Sequence, residues 1–178
     1  MDNRKYLCFE YLLYQLISWY NEYKPTDSEY LSFTRLKVLK LLFFVSAIRV
    51  NEDDLLDIFD NFWAMQHGPV ESDIYNAMMQ NRFEFYSFKN RSISNKKIFE
   101  YNKVCKEIGE LKAKLDASIN QLKLINPNMV LMTAFELVEL SHRWRSWKLA
   151  MYIANLNDKG SSRIDVSDIR NYPQFFVL

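Results

Sequence analysis

The sequence predicts a mainly α fold: a single compact multi-helix domain over residues 1–178, with a small β-hairpin or extended arm near residues 83–94. Three observations predict it. Glycine occurs only three times in 178 residues, against a usual share of about 7%, and sheets and loop-rich scaffolds consume glycine at their turns. Apolar residues recur at spacings of three and four through most of the chain, the helical period. Capping and breaking residues punctuate those periodic runs.

Residues 4–23 place Tyr6, Phe9, Leu13, Leu16 and Tyr20 at helical spacing. Leu12, Ile17 and Trp19 widen the stripe, so this helix is expected to be buried on more than one side. It ends before Lys24-Pro25, because the residue before proline is pushed out of helical angles. Thr26-Asp27-Ser28-Glu29 has capping-box spacing ahead of a short turn. A second helix starts near Ser32 or Thr34, with Leu36, Leu39, Leu42 and Phe43 facing inward and Arg35, Lys37 and Lys40 outside the stripe.

Asn51 reads as the cap of a third helix, with Glu52, Asp53 and Asp54 in its first turn, where carboxylates suit the positive end of the helix dipole. Leu55, Ile58, Phe59, Phe62 and Trp63 continue it. Gly68-Pro69 breaks the chain and opens a helix over residues 70–80, proline being tolerated at the first helical position. Around residues 83–88 helical spacing is lost, which suggests a short strand or arm, and residues 89–97 read as a polar loop.

Residues 96–124 carry the longest periodic run. Tyr101, Val104, Ile108, Leu111, Leu115 and Leu122 form a heptad-like stripe, suited to one long helix packed on the body or on a second copy as a homodimer seam. Pro127 ends it. Thr133 and Glu136 form a capping box for a helix through Phe135, Val138 and Ser141. A short helix over residues 146–154, a turn at 157–160 and a final turn near 167–171 complete the chain.

The composition also limits function. Net charge is +1, which removes a global argument for nucleic acid. The halves differ: residues 1–81 hold 7 Lys/Arg and 12 Asp/Glu, net −5, and residues 82–178 hold 16 and 10, net +6. That asymmetry suits self-association, a charged partner or simply two solvated faces. Cys8 and Cys105 lack C-x-x-C spacing, so neither a disulfide framework nor a zinc site is indicated. No secretory signal or uncharged membrane-length run is evident, and the expectation is a reduced cytoplasmic protein.

No catalytic constellation emerges. His67 and His142 are the only histidines. Adjacent Ser141 and His142 diverge by about 100° on a helix, wrong for a nucleophile and its base. Gly68-Pro69 falls far short of a phosphate loop, and no cofactor or metal is expected. The basic, Trp-bearing segment Arg143-Trp144-Arg145-Ser146-Trp147 suits either base stacking with phosphate neutralisation or a protein interface, where Trp and Arg dominate binding energy. The 28 aromatics, 16% of the chain, favour the interface.

Three blocks together resemble a known family. Leu36-Lys37-Val38-Leu39-Lys40-Leu41-Leu42-Phe43-Phe44 resembles the L-x-L-x-K-L-L-Y-F segment of Panacea (SocA-like) antitoxin domains. The segment from Phe62 through Gly68-Pro69-Val70 to Ile74-Tyr75 resembles F-x-A-W-x-x-G-P-V-x-x-x-V-Y. Glu136 through Ser141-His142, with Trp147 and Ala150, resembles L-x-x-L-T-H-x-x-x-P-W-x-x-A. Ile164 and Ser167-Asp168-Ile169 fit the closing segment.

The Trp63-Ala64 order, Ser141 in place of threonine and Ser146 in place of proline mark a divergent member. The resemblance implies a helical, non-enzymatic domain that neutralises a toxin by direct binding or by delivering it to a protease. The expected partner-binding residues are Trp63, His67, Gly68, Pro69, Tyr75, Ser141, His142, Arg143, Trp144 and Trp147. Two readings of them stay open: a contact surface, or packing that holds the fold. A nucleic-acid-binding regulator is the alternative function.

Overall fold

The computed structural model describes residues 3–23, 33–88, 92–172 and 174–177. The capping-box spacing at 26–29 and the chain break at 24–25 lie outside them. Helix α1 (Asn3–Tyr23) buries Leu7, Phe9, Tyr11, Leu12, Leu16 and Trp19, positions spread around its circumference, as the widened stripe predicts. Helix α2 (Arg35–Ala47) begins where Thr34 Oγ1 accepts from the Lys37 amide at 3.2 Å. Every residue from 37 to 47 is buried. The expectation that Lys37 and Lys40 face outward is therefore overturned. Residues 68–71, 111–125 and 134–142 enclose this helix, which leaves residues 37–47 no solvent face.

Residues 51–61 are turns, not the helix expected to follow Asn51. The acidic run there is tied down individually. Asp54, 5% exposed, receives the Arg170 guanidinium in a bidentate pair at 2.7 and 2.9 Å and caps the Leu56 amide at 2.9 Å. Asp57 takes a third Arg170 bond at 2.7 Å, and Lys114 meets Asp53 at 2.7 Å. These tertiary partners, rather than a helix dipole, explain the carboxylates. Phe62, Trp63, Ala64 and Met65 then alternate buried and half-buried, the period of a strand.

Strand β1 (Phe62–Met65) and β2 (Gly68–Glu71) form an antiparallel hairpin with Phe62 opposite Glu71 and Met65 opposite Gly68. Only Gln66 and His67 join them. Proline at 69 therefore sits in a strand rather than opening a helix. The strand is at the sheet edge, where a missing amide costs no ladder bond. Helix α3 (Ser72–Met79) starts later than expected, with Glu71 as its cap, accepting from the Ile74 amide at 2.8 Å.

The hairpin expected near 83–94 is present as β3 (Tyr86–Ser87) paired with β4 (Ser94–Asn95). Part of the expected polar loop, residues 89–91, lies outside the described residues. The buried Glu10 carboxylate receives the amides of Phe85, Glu84 and Tyr86 at 2.7, 3.2 and 3.2 Å.

The long periodic run is two helices, α4 (Tyr101–Ile108) and α5 (Leu111–Ile125), broken at Gly109 with φ +58°. Both pack on α1. Tyr11 donates to Asp116 at 2.6 Å and Arg4 donates to the Ile108 carbonyl at 2.8 Å. Val104, Ile108, Leu115 and Leu122 are fully buried within the chain, so these four serve as internal packing, while Leu111 is half-buried and Tyr101 exposed.

Helix α6 (Ala134–His142) has the expected capping box: Thr133 donates its amide to Glu136 at 2.7 Å, and the Glu136 amide returns to Thr133 Oγ1 at 3.2 Å. Helix α7 (Arg145–Leu156) runs across the hairpin, β5 (Ser162–Arg163) pairs with the free edge of β1, and α8 (Val166–Asn171) follows. The order in the sheet is β2-β1-β5. No helix among the described residues is long and apolar enough to cross a membrane.

Candidate partner-binding site

The three sequence blocks meet at one place, behind the β1–β2 turn. Lys40, fully buried on α2, donates from Nζ to the Pro69 carbonyl. Burial alone holds its pKa well below the usual lysine value. A single carbonyl is a weak partner for a cation removed from water, which is the physical cause of that shift.

Gly68 sits against that amine at φ +91°. A Cβ there would stand 2.8 Å from Lys40 Nζ and would collide with Ser141 Oγ. Ser141 is buried on α6 and donates to the Val138 carbonyl at 2.8 Å. The lock thus needs a small residue at 68, a small hydroxyl at 141 and a long donor at 40.

The other side of the turn is fastened by α7. Trp147 Nε1 donates to the Met65 carbonyl at 3.0 Å, and the His142 ring stacks on the Trp147 ring at 3.9 Å with a 12° tilt. Burial, and then the charge of Lys40, hold the His142 pKa below its usual value, against an opposing bond with the Gln66 backbone. His142 is accordingly a neutral ring that packs against the indole.

Trp144 is fully buried. It meets Phe43 edge-on at 4.8 Å and Phe176 at 5.4 Å, and its Nε1 donates to the Phe175 carbonyl at 3.0 Å.

A Panacea profile matches here. The family described as antitoxin SocA-like, Panacea domain, matches residues 38–148, more than half of the chain, taking in the second block whole, the first from Val38 and the third as far as Trp147. The chain belongs to this antitoxin family. No curated protein and no solved structure gives a match.

In this Panacea domain the ten expected residues divide by accessibility. Gly68, Pro69, Ser141 and Trp144 are buried. Gly68, Pro69 and Ser141 pack directly behind the turn, and Trp144 packs on Phe43 and Phe176. His67 and Arg143 are exposed, and Trp63, Tyr75, His142 and Trp147 are half-buried.

His67 and Tyr75 also line an open groove between the N-terminal end of α2, the hairpin turn and the start of α6. Leu36, Leu39, Met65 and Phe135 supply its apolar surface, with Arg35 at its edge. Phe135 is 70% exposed at the mouth of this groove. Sequence reading missed Lys40 and Phe135. Lys40 was legible in principle, because a run of Leu, Phe and Val all round a helix marks it as enclosed, and a lysine inside must find an acceptor. Phe135 carried no such signal, since its spacing matches the buried positions of α6.

Two further charged clusters lie outside the lock. Lys5 Nζ is bonded to Asp60, Glu71 and Asp73 at 2.9, 2.6 and 2.7 Å. These three carboxylates are spaced to hold a metal ion, but the ammonium of Lys5 already occupies their centre. Lys37 has no hydrogen-bond acceptor among the described residues. Its Nζ lies 5.3 Å from the Tyr20 ring centroid and 5.2 Å from that of Phe33.

Burial lowers the Lys37 pKa to about 8, with Glu136 acting in the opposite direction. Its folded pKa lies below the unfolded value of about 10.4, so the stability it contributes is complete above that value and declines as pH falls towards 8. Unfolding measured at pH 8 and pH 10 should show wild type gaining on Lys37→Met over that interval. Parallel curves would contradict it.

Proposed function

We propose that this domain neutralises a cognate toxin by direct protein–protein binding, through the groove beside the β1–β2 turn. Family membership points to a toxin–antitoxin role without enzymatic chemistry. The observation that carries the binding site is the convergence of all three family blocks on a rigid lock behind one short turn. A preorganised surface loses less entropy on association than a mobile one. The accessible residues presented by that lock are His67, Tyr75, Trp63, His142, Arg143 and Trp147, next to the apolar floor at Met65 and Phe135. Gly68, Pro69, Ser141 and Trp144 act from beneath. Both proteins are expected in the cytoplasm.

Co-expression of the adjacent gene with this chain tests the reading. Wild type should restore growth, and Phe135→Asp or His67→Asp should abolish rescue without lowering the melting temperature, since both side chains are exposed. A charge placed in an apolar interface centre commonly costs about 2–4 kcal/mol, roughly 30- to 1000-fold in affinity. An adjacent gene without toxicity, or rescue indifferent to both substitutions, would refute it. Toxin level separates the two modes: it holds steady under direct inhibition and falls if the domain delivers the toxin to a protease. The regulatory alternative predicts duplex or single-strand binding with a steep salt slope.

A further inference from the structure

Helix α7 carries a second surface that the groove does not use. Its inner side is made of small residues, Ser146, Ala150 and Ala154, which are buried and bring the helix close to the sheet. Its outer side presents Leu149, Tyr152, Ile153 and Leu156. Tyr152 and Leu156 are 62% and 65% exposed, and Leu149 and Ile153 are also exposed. The spacing is i, i+3, i+4, i+7, the pattern by which one amphipathic helix packs along another. A helix in solution with an apolar stripe on its outer face and its inner face already packed lacks a partner for the stripe.

The charges beside the stripe state what that partner carries. Residues 143–163 hold Arg143, Arg145, Lys148, Lys159 and Arg163 against a single acid, Asp158. Arg145 lies at the N-terminal end of the stripe and Lys148 along one edge, because a helix turns about 100° per residue. The Arg145 guanidinium is held over the Tyr172 ring at 4.7 Å. Among the described residues, none of Arg145, Lys148 and Lys159 forms an ion pair. This contrasts with the acids of residues 52–73, most of which are paired within the chain.

We infer that the outer face of α7 is a docking ridge for an acidic amphipathic helix of a partner protein, its apolar stripe seated on Leu149, Tyr152, Ile153 and Leu156 and its carboxylates on Arg145 and Lys148. The inference stands apart from the groove and its toxin.

Two fluorescein-labelled synthetic helices test it on the full chain. Both carry the same leucine stripe, one flanked by glutamates and the other by lysines, and binding is followed by fluorescence anisotropy at low and high salt. The glutamate peptide should bind about tenfold more tightly at low salt, and the advantage should shrink as salt screens the charges. Ile153→Asp and Tyr152→Asp should each abolish binding with an unchanged melting temperature. Equal binding of the two peptides, or binding that survives both substitutions, overturns the inference. So does a dimer in sedimentation velocity that either substitution dissociates, which would assign the ridge to a second copy. Flotation with phosphatidylserine vesicles that either substitution prevents would assign it to a lipid surface, and would overturn the inference too.

Discussion

Gly68→Ala is expected to lower stability by about 3–5 kcal/mol, from backbone strain at positive φ together with a steric collision in a packed site. At this chain length that corresponds to roughly 6–20 °C in melting temperature. Two costs act at once. The backbone at φ +91° disfavours any side chain, and the new methyl meets Ser141 Oγ and Lys40 Nζ. They separate in a double-mutant cycle with Ser141→Gly. Removing the serine side chain relieves its collision but leaves the strain and the lysine contact, so the double variant should regain only part of the loss. A Gly68→Ala protein melting within two degrees of wild type, an interval worth about 1 kcal/mol or less, would show that the turn is not locked.

Lys5→Met is expected to have a comparable effect by an electrostatic route. The Lys5 ammonium is the shared counter-charge of Asp60, Glu71 and Asp73, and the Glu71 side chain is wholly buried. Burial lowers the Lys5 pKa, but Glu71, Asp73 and Asp60 together outweigh it and hold the group charged. Burial raises the Glu71 carboxyl even with Lys5 in place. Removing one partner of a buried pair leaves an uncompensated charge, at a cost of about 3–5 kcal/mol.

Without Lys5 the Glu71 pKa rises further above its unfolded value, so the stability it contributes is full at low pH and is lost as pH rises through the folded pKa. The deficit of Lys5→Met should therefore be smaller at pH 5 than at pH 7.5 in thermal denaturation. A deficit independent of pH would contradict the role given to the three carboxylates.

The sequence was legible where local chemistry and tertiary packing agree. Thr133 and Glu136 cap α6 because both halves of the capping box lie within one turn, and α1 is enclosed because its apolar residues go round the helix. Reading failed where a distant partner decides the outcome. Leu55, Ile58, Phe59 and Phe62 have helical spacing, but Asp54 is claimed by Arg170, 116 residues away, and the segment folds as turns leading into a strand. Gly109 was visible inside a periodic run, and its positive φ is the reason one helix became two. At the site, the motif residues were legible as a set. Their division into buried support and exposed surface was not, because a glycine or serine carries no mark of which side of a turn it will face.

The break at Gly109 also governs the order in which the fold can exist. It turns α5 back so that α1 is covered by chain made much later: Tyr11 waits for Asp116, Arg4 for Ile108, and Glu10 for the amides of residues 84–86. At synthesis rates of about 5–20 residues per second, roughly 100 residues of translation separate α1 from its cover, or some 5–20 s. Throughout that interval the face of α1 that α4 and α5 cover in the finished fold stays open to chaperones and proteases. Even then the turn waits for Trp147 and Asp54 for Arg170, so a newly made molecule is native only once α8 is complete.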